Sequence, residues 1–171
     1  MGAEVVTPEE PHPSHSAYDK GVVPTRRAAQ PIRWLQALGL ASDAEAVNDL
    51  GPATVALDRN GLVRLHWANG TKITESAARE AVAAVNHICA GQRHPMLVDM
   101  TGTASVTRPA RAVFAEPSAA STIALLGGSA VDRVIANFIL GVSTVPVPTR
   151  FFTVEAEALA WLRDGRHDGG P

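Results

Sequence analysis

The stretch "ATVALDRNGLVRLHWANG", residues 53 to 70, constrains the fold of this chain more than any other. Val55 and Leu57, then Val63, Leu65 and Trp67, occupy alternate positions on either side of Asn60-Gly61. A period of two gathers the apolar side chains on one face of an extended backbone, and Asn-Gly supplies the turn that folds it back. A β-hairpin is expected here, with an apolar face that the rest of the chain must cover.

Beyond the hairpin the period changes from two to that of a helix. In "TESAAREAVAAVNHICAG" the residues Ala78, Ala81, Val82, Val85, Ile88 and Cys89 repeat at helical spacing, with Thr74 as N-cap and Gly91 beyond the end. "MLVDM" reads as a short buried strand, and Ala110, Val113 and Phe114 form the inner face of the next helix. "TIALLG" is another strand. Ser129 and Asp132 stand three apart like a capping box, ahead of a helix carrying Val131, Val134, Ile135, Phe138 and Ile139, with Gly141 as its stop. Pro146 and Pro148 enforce an extended connection to the strand "TRFFT" and the helix "VEAEALAWL". In that helix Trp161 and Leu162 follow Val154 and Ala158 at helical spacing and are expected against the sheet. An opening β-hairpin followed by alternating helices and strands makes an α/β sandwich with a mostly parallel sheet.

Four segments are expected. Residues 1–30 carry Pro8, Pro11, Pro13 and Pro24 and no apolar period, as a disordered tail does. Residues 31–51 make a short helix, with Trp34, Leu35 and Leu38 on one face, and a linker. Residues 52–164 form the folded domain, and 165–171 a flexible C-terminal tail. A formal charge of -2 gives no bulk attraction to nucleic acid, so no nucleic-acid partner is expected. The single cysteine, Cys89, excludes an internal disulfide framework. The N-terminal residues lack the apolar core of a secretory signal, and "VIANFILGV" is too short to span a bilayer, so a cytoplasmic protein is expected.

The stretch "LVDMTGTASVTRPARAVF" resembles the strand, loop and helix at the heart of anti-sigma-factor antagonists, and "VPTRFFTVEAEALAWL" resembles the closing strand and helix of a little-characterised STAS-like group. With the element order, these identify residues 52–163 as similar to the STAS or SpoIIAA-like fold. The resemblance implies a regulatory module of a bacterial cell that binds a protein partner through the loop 101–109 and the following helix. In antagonists of that family a serine in an Asp-Ser-Ser-Gly turn is phosphorylated. Laying Asp99 on the strand-end aspartate puts Arg108 and Pro109 over the two serines, so no phosphoswitch of that kind is expected. The candidate partner- or ligand-binding residues are Asp99, Thr101, Ser105, Thr107, Arg108 and Arg111, the two arginines flanking a helix N-terminus that favours anions. The alternative is a sensor or carrier that holds a small anionic or lipid-like molecule there, or in an apolar cleft beside Phe138 and Trp161.

Catalytic chemistry has no evident carrier. "LLGGSAV" lacks the rest of a phosphate-binding or dinucleotide pattern, and a helix cap at Ser129 accounts for its glycines. His66, His87 and His94 are isolated from any metal-ligand motif, and no metal or cofactor is expected. Arg64 and His66 alternate with Val63 and Leu65 and are expected as exposed sheet-edge residues. No serine elbow is present, and Cys89 falls on a buried stripe, so a non-enzyme is expected.

Overall fold

The computed structural model describes residues 44–141 and 145–165. The tail expected at 1–30, the short helix expected around Trp34, and residues 166–171 of the expected C-terminal tail lie outside the described residues. The elements run β1 (Ala44–Asp49), β2 (Ala53–Asp58), β3 (Val63–Trp67), β4 (Lys72–Ile73), α1 (Glu75–Cys89), β5 (His94–Asp99), β6 (Ser105–Val106), α2 (Arg108–Phe114), β7 (Ala120–Leu126), α3 (Ala130–Leu140), β8 (Thr149–Phe152) and α4 (Glu155–Asp164). The main sheet has the order β1-β2-β3-β5-β7-β8. Its first two pairings are antiparallel, and the three pairings from β3 to β8 are parallel. β4 and β6 form a small parallel pair apart from it.

The hairpin pairs Val55 with Leu65 and Leu57 with Val63, one residue off the register that a two-residue turn at Asn60-Gly61 sets. Its turn is longer than two residues. Asp58 accepts the N–H groups of Asn60 and Leu62 at 2.9 Å each, and within the turn Gly61 takes a positive φ, +77°. Residues 44–49, expected within a linker, instead form β1, paired antiparallel with β2 so that Val47 faces Ala56. Ala, Glu, Asp and Asn are poor strand formers, so "AEAVND" carries no local strand signal. The open edge of β2 supplies the pairing, and Asp49 suits an outermost strand because charge discourages further pairing.

One face of the sheet carries Val55, Val63, Leu65, Trp67, Met96, Val98 and Leu125, and helices α1, α2 and α3 pack their apolar sides into the same cluster. α1 is capped as expected, Thr74 accepting the N–H of Ala77 at 3.3 Å, and Cys89 is buried at its end. The left-handed exit begins one residue before Gly91, at Ala90, with φ +49°. The opposite face carries Leu97, Ala124 and Phe152 under α4, which contributes Ala158 and Leu162.

Two helix faces differ from expectation. In α3 the buried residues are Asp132, Ile135, Ala136 and Ile139, whereas Val131 and Val134 are 59% and 68% exposed. The capping box turns Asp132 inward and so rotates the stripe. In α4, Val154 is the N-cap and 48% exposed, and Trp161 is half-buried with its ring 5.5 Å from that of Phe152. Leu162→Ala should cost about 2–5 kcal/mol, and Trp161→Ala about 2 kcal/mol, below the roughly 3–5 kcal/mol of a fully enclosed aromatic. Urea midpoints would check both, and equal losses would show the tryptophan to be as enclosed as the leucine.

Candidate functional site

The loop between β5 and α2 is built around two carboxylates. Asp99 ends β5; its Oδ1 accepts the N–H of Thr101 at 3.0 Å and its Oδ2 lies 3.0 Å from Nδ1 of His66 on β3. Burial pushes the Asp99 carboxyl upward, but the hydrogen bonds from His66 and from the backbone and side chain of Thr101 outweigh it. The net position is below the ordinary value. Gly102 comes next but two, with φ +74°, where a Cβ would meet Asn69 Oδ1 at 2.5 Å. Its carbonyl accepts the N–H of Gly70 at 2.8 Å. Thr103 is buried, the N–H of Ala104 donates to the Thr71 carbonyl at 2.9 Å, and β6 then pairs with β4, Ser105 opposite Lys72.

Asp132 holds the other side of the loop. It is 1% exposed, and it belongs to α3, which enters from the far side of β7. Oδ1 accepts Gly102 N–H at 3.2 Å, and Oδ2 accepts Gly128 and Ser129 N–H at 2.9 Å each. The Ser129 hydroxyl in turn accepts the N–H of Asp132 at 3.1 Å, completing the capping box. Gly127 makes this approach possible, since a Cβ there would stand 2.5 Å from the Cβ of Asp132. The glycines of "LLGGSAV" therefore serve an internal acid. The two amides that would face a phosphate at this helix N-terminus already donate to Asp132.

The six candidate residues do not converge on one point. Asp99 and Thr101 open the loop, and Ser105 lies half-buried in β6. Thr107 is the N-cap of α2, its hydroxyl accepting Ala110 N–H at 3.3 Å. Arg108 is exposed. Arg111 does not stand at the helix N-terminus but in the last turn; its guanidinium donates to the Phe138 carbonyl at 3.3 Å and lies 4.4 Å from that ring's centre. It ties α2 to α3.

Arg64 and His66 are not sheet-edge residues. β3 lies inside the sheet between β2 and β5, because β1 and β2 extend the sheet beyond it. The Arg64 side chain is only 11% exposed and pairs with Glu155 at 2.6 Å, beside the His66–Asp99 pair. These four side chains surround a recess of about 10 Å³. That is room for about one water, too little for a substrate. The alternation placed both residues on one face correctly; pairing with β5 takes β3 off the edge, and α4, through Glu155, covers that face.

A larger space lies in the main core. A cavity of about 70 Å³ runs between the sheet and helices α1, α2 and α3, with Trp67, Met96, Met100, Val85, Phe114 and Ile139 among its walls. The inner face of α1 is mostly alanine, Ala78, Ala81 and Ala84, which leaves the side chains of β3 and β5 incompletely met. A dry void of this size costs about 2 kcal/mol. The cleft expected beside Phe138 and Trp161 does not form, since α3 packs into the cluster on one sheet face and Trp161 belongs to the cluster on the other. Among the described residues no helix is long and apolar enough to cross a membrane, and no cluster of metal-ligating side chains is present.

An antiparallel opening that leads into parallel strands, with helices on one face and a closing helix on the other, makes the mixed α/β sandwich that the alternation of elements predicted. The chain belongs to the family described as "Domain of unknown function (DUF7793)", whose model matches residues 56–166. A crystal structure of a protein with unknown function from Arthrobacter sp. FB24 is 55% identical to it over 64% of this chain and 97% of that one, with a TM-score of 0.28. An uncharacterized protein of the DUF3478 family with a SpoIIAA-like fold, from Shewanella loihica PV-4, is 17% identical over 68% of this chain and 90% of that one, with a TM-score of 0.42. No curated protein matches.

Asp132→Ala should strip the acceptor from three backbone N–H groups and cost about 3–5 kcal/mol, with Asp132→Asn intermediate because it keeps one oxygen. Urea midpoints of the two variants would check the order. Asp99 acts through pH. Its folded-state pKa lies below the ordinary 3.8, so its contribution is complete above that value and drains away as pH falls through the lower folded value. Asp99→Asn should therefore flatten the loss of stability below about pH 4, read from urea midpoints at successive pH values.

Proposed function

We propose that the domain is a non-catalytic interaction or regulatory module of the bacterial cytoplasm, meeting a protein partner through the loop 101–109 and α2. The observation that carries this reading is an exposed apolar pair on a braced surface. Val131 and Val134 stand open on the first turns of α3, whose N-terminus is joined through Asp132 to Gly102 of the loop. Adjacent exposed apolar side chains, unlike single scattered ones, are a mark of a partner surface. Thr101, Ala104, Arg108 and Pro109 are exposed along the same loop. In this reading Thr101 and Arg108 touch the partner, Asp99, Ser105 and Thr107 shape the loop, and Arg111 braces α2 against Phe138.

The chemistry of the described residues supports a non-catalytic role. Cys89 is buried, and burial pushes its thiol upward, away from the thiolate that a nucleophile needs. His66 is engaged by Asp99 beside a recess too small for a substrate. Control by phosphorylation in the family's manner is not part of the proposal, since Arg108 and Pro109 stand where the paired serines would be and the Thr107 hydroxyl is committed to capping α2.

The test compares three variants in capture from the native cell followed by direct binding to the recovered partner. Val131→Asp with Val134→Asp, and separately Arg108→Ala, should each leave stability within about 0.5 kcal/mol, as exposed substitutions do, and weaken binding by about ten-fold or more. Val154→Asp, also exposed but at the N-cap of α4 on the other face of the sheet, should bind as the unmodified chain does. Equal loss in all three variants, or loss in none, would refute this surface.

A further inference from the structure

We infer that the cavity beneath α1, α2 and α3 is a binding site for a small neutral molecule with an apolar body and at most one hydroxyl-like end. The cavity's lining, its opening and its size each point to that class, and none of them depends on the partner surface.

The inner end is closed by side chains that are nearly inaccessible, Trp67, Ile73 and Met100, each 1% exposed. The half-exposed or exposed wall residues cluster at the opposite end, where Glu116 and Ser118 follow α2 and Val145 and Thr149 lead into β8. An occupant would therefore enter beside the N-terminal ends of β7 and β8 and extend toward Met100. Along that path the walls are aliphatic, aromatic or thioether. Among the described lining residues other than Trp67, the polar ones are at the mouth: Ser118, Thr149, whose hydroxyl donates to the Val147 carbonyl at 2.9 Å, and Glu116, which pairs with Arg79 at 3.3 Å.

No lysine, arginine or histidine is among the described residues that line the cavity. A carboxylate or phosphate carried inside would find no cation among the described lining residues, and an unpaired buried charge is strongly disfavoured; the Arg79 guanidinium near the mouth is already held by Glu116 at 3.3 Å and Glu75 at 3.0 Å. This excludes a fatty acid or an organic phosphate and selects a neutral molecule. A hydroxyl at its outer end could hydrogen-bond with Ser118 or Thr149 while the body displaced no ordered polar contacts. The volume of about 70 Å³ is roughly half that of an engineered apolar cavity that admits benzene. The occupant is thus smaller than benzene, a short branched chain of about four carbons. Met96 and Met100, flexible and polarizable, are the walls best able to adjust around it.

The experiment uses the full chain with its methionine methyl groups labelled, titrated separately with isobutanol and with isobutyrate, which share one branched four-carbon skeleton. Isobutanol should move the Met96 and Met100 signals saturably, show magnetisation transfer to Trp67, and raise the melting temperature. Isobutyrate should bind at least ~10-fold more weakly, because its charge has no partner inside. Ala81→Leu, which projects a longer side chain into the space, should abolish the isobutanol response. The transfer to Trp67 is measured on the unmodified chain, so it decides the location even where that variant fails to fold. Isobutyrate binding as tightly as isobutanol would overturn the assignment of ligand class. No saturable response at Met96 and Met100, or transfer to residues outside the cavity, would overturn the site itself.

Discussion

A single buried carboxylate joins the two turns on which the candidate surface depends. Asp132 accepts N–H groups from both sides of a gap, Gly102 from the loop after β5 and Gly128 and Ser129 from the turn after β7. In a parallel sheet these turns emerge side by side at the carboxyl ends of adjacent strands, and nothing in the strand pairing itself fixes one to the other. Isolated burial of an acid is costly, but an acid that satisfies three backbone donors replaces water at groups that would otherwise be buried unmet. The latch therefore fixes the loop without an external ligand. It also uses the helix N-terminus from within, which is why the glycine-rich turn of this chain does not read as a phosphate cradle.

Most elements marked by periodicity and local caps were legible in the amino-acid sequence, though the buried faces of α3 and α4 were not. Alternation around Asn60-Gly61 located the hairpin but not its register, which the longer turn sets, and the helical spacing from Ala78 to Cys89 located α1 with its cap at Thr74. Ser129 and Asp132, three apart, announced a capping box, and it is present. β1 was not legible because "AEAVND" has no strand preference of its own and becomes a strand only by adding to the edge of β2. Arg64 and His66 were misplaced for another reason: the hairpin alone leaves β3 with a free side, and its parallel pairing with β5, distant in sequence, is what closes it.

The candidate site was legible in its location and not in its internal roles. A strand-end acid followed by hydroxyls and a proline marks a loop that enters a helix, which is where Asp99, Thr101 and Thr107 stand. Yet which groups face outward depends on partners distant in sequence. His66 is 33 residues from Asp99, Arg111 is 27 from Phe138, and Gly102 is 30 from Asp132. No local pattern can separate an arginine that faces solvent, as Arg108 does, from one laid on a neighbouring helix, as Arg111 is. Val131 and Val134 carry the same lesson in reverse, since hydrophobicity alone assigned them inward while the cap turned the acid between them into the core.

The geometry of a parallel sheet also separates the two regions that distinguish this domain. Asp99, Gly102 and Gly128 lie at the carboxyl ends of β5 and β7, whereas Ser118 and Thr149, at the cavity mouth, lie at the amino ends of β7 and β8. The core between them is held together by side chains that serve both ends: Met100 closes the cavity from within, and its carbonyl accepts the Thr103 N–H as the loop begins. The loop is thereby anchored to the inner wall of the cavity through one residue's backbone and side chain, while its outer side is fixed by Asp132. Met100 is thus the residue that the cavity wall and the start of the loop share, and Asp132 holds the loop from its other side.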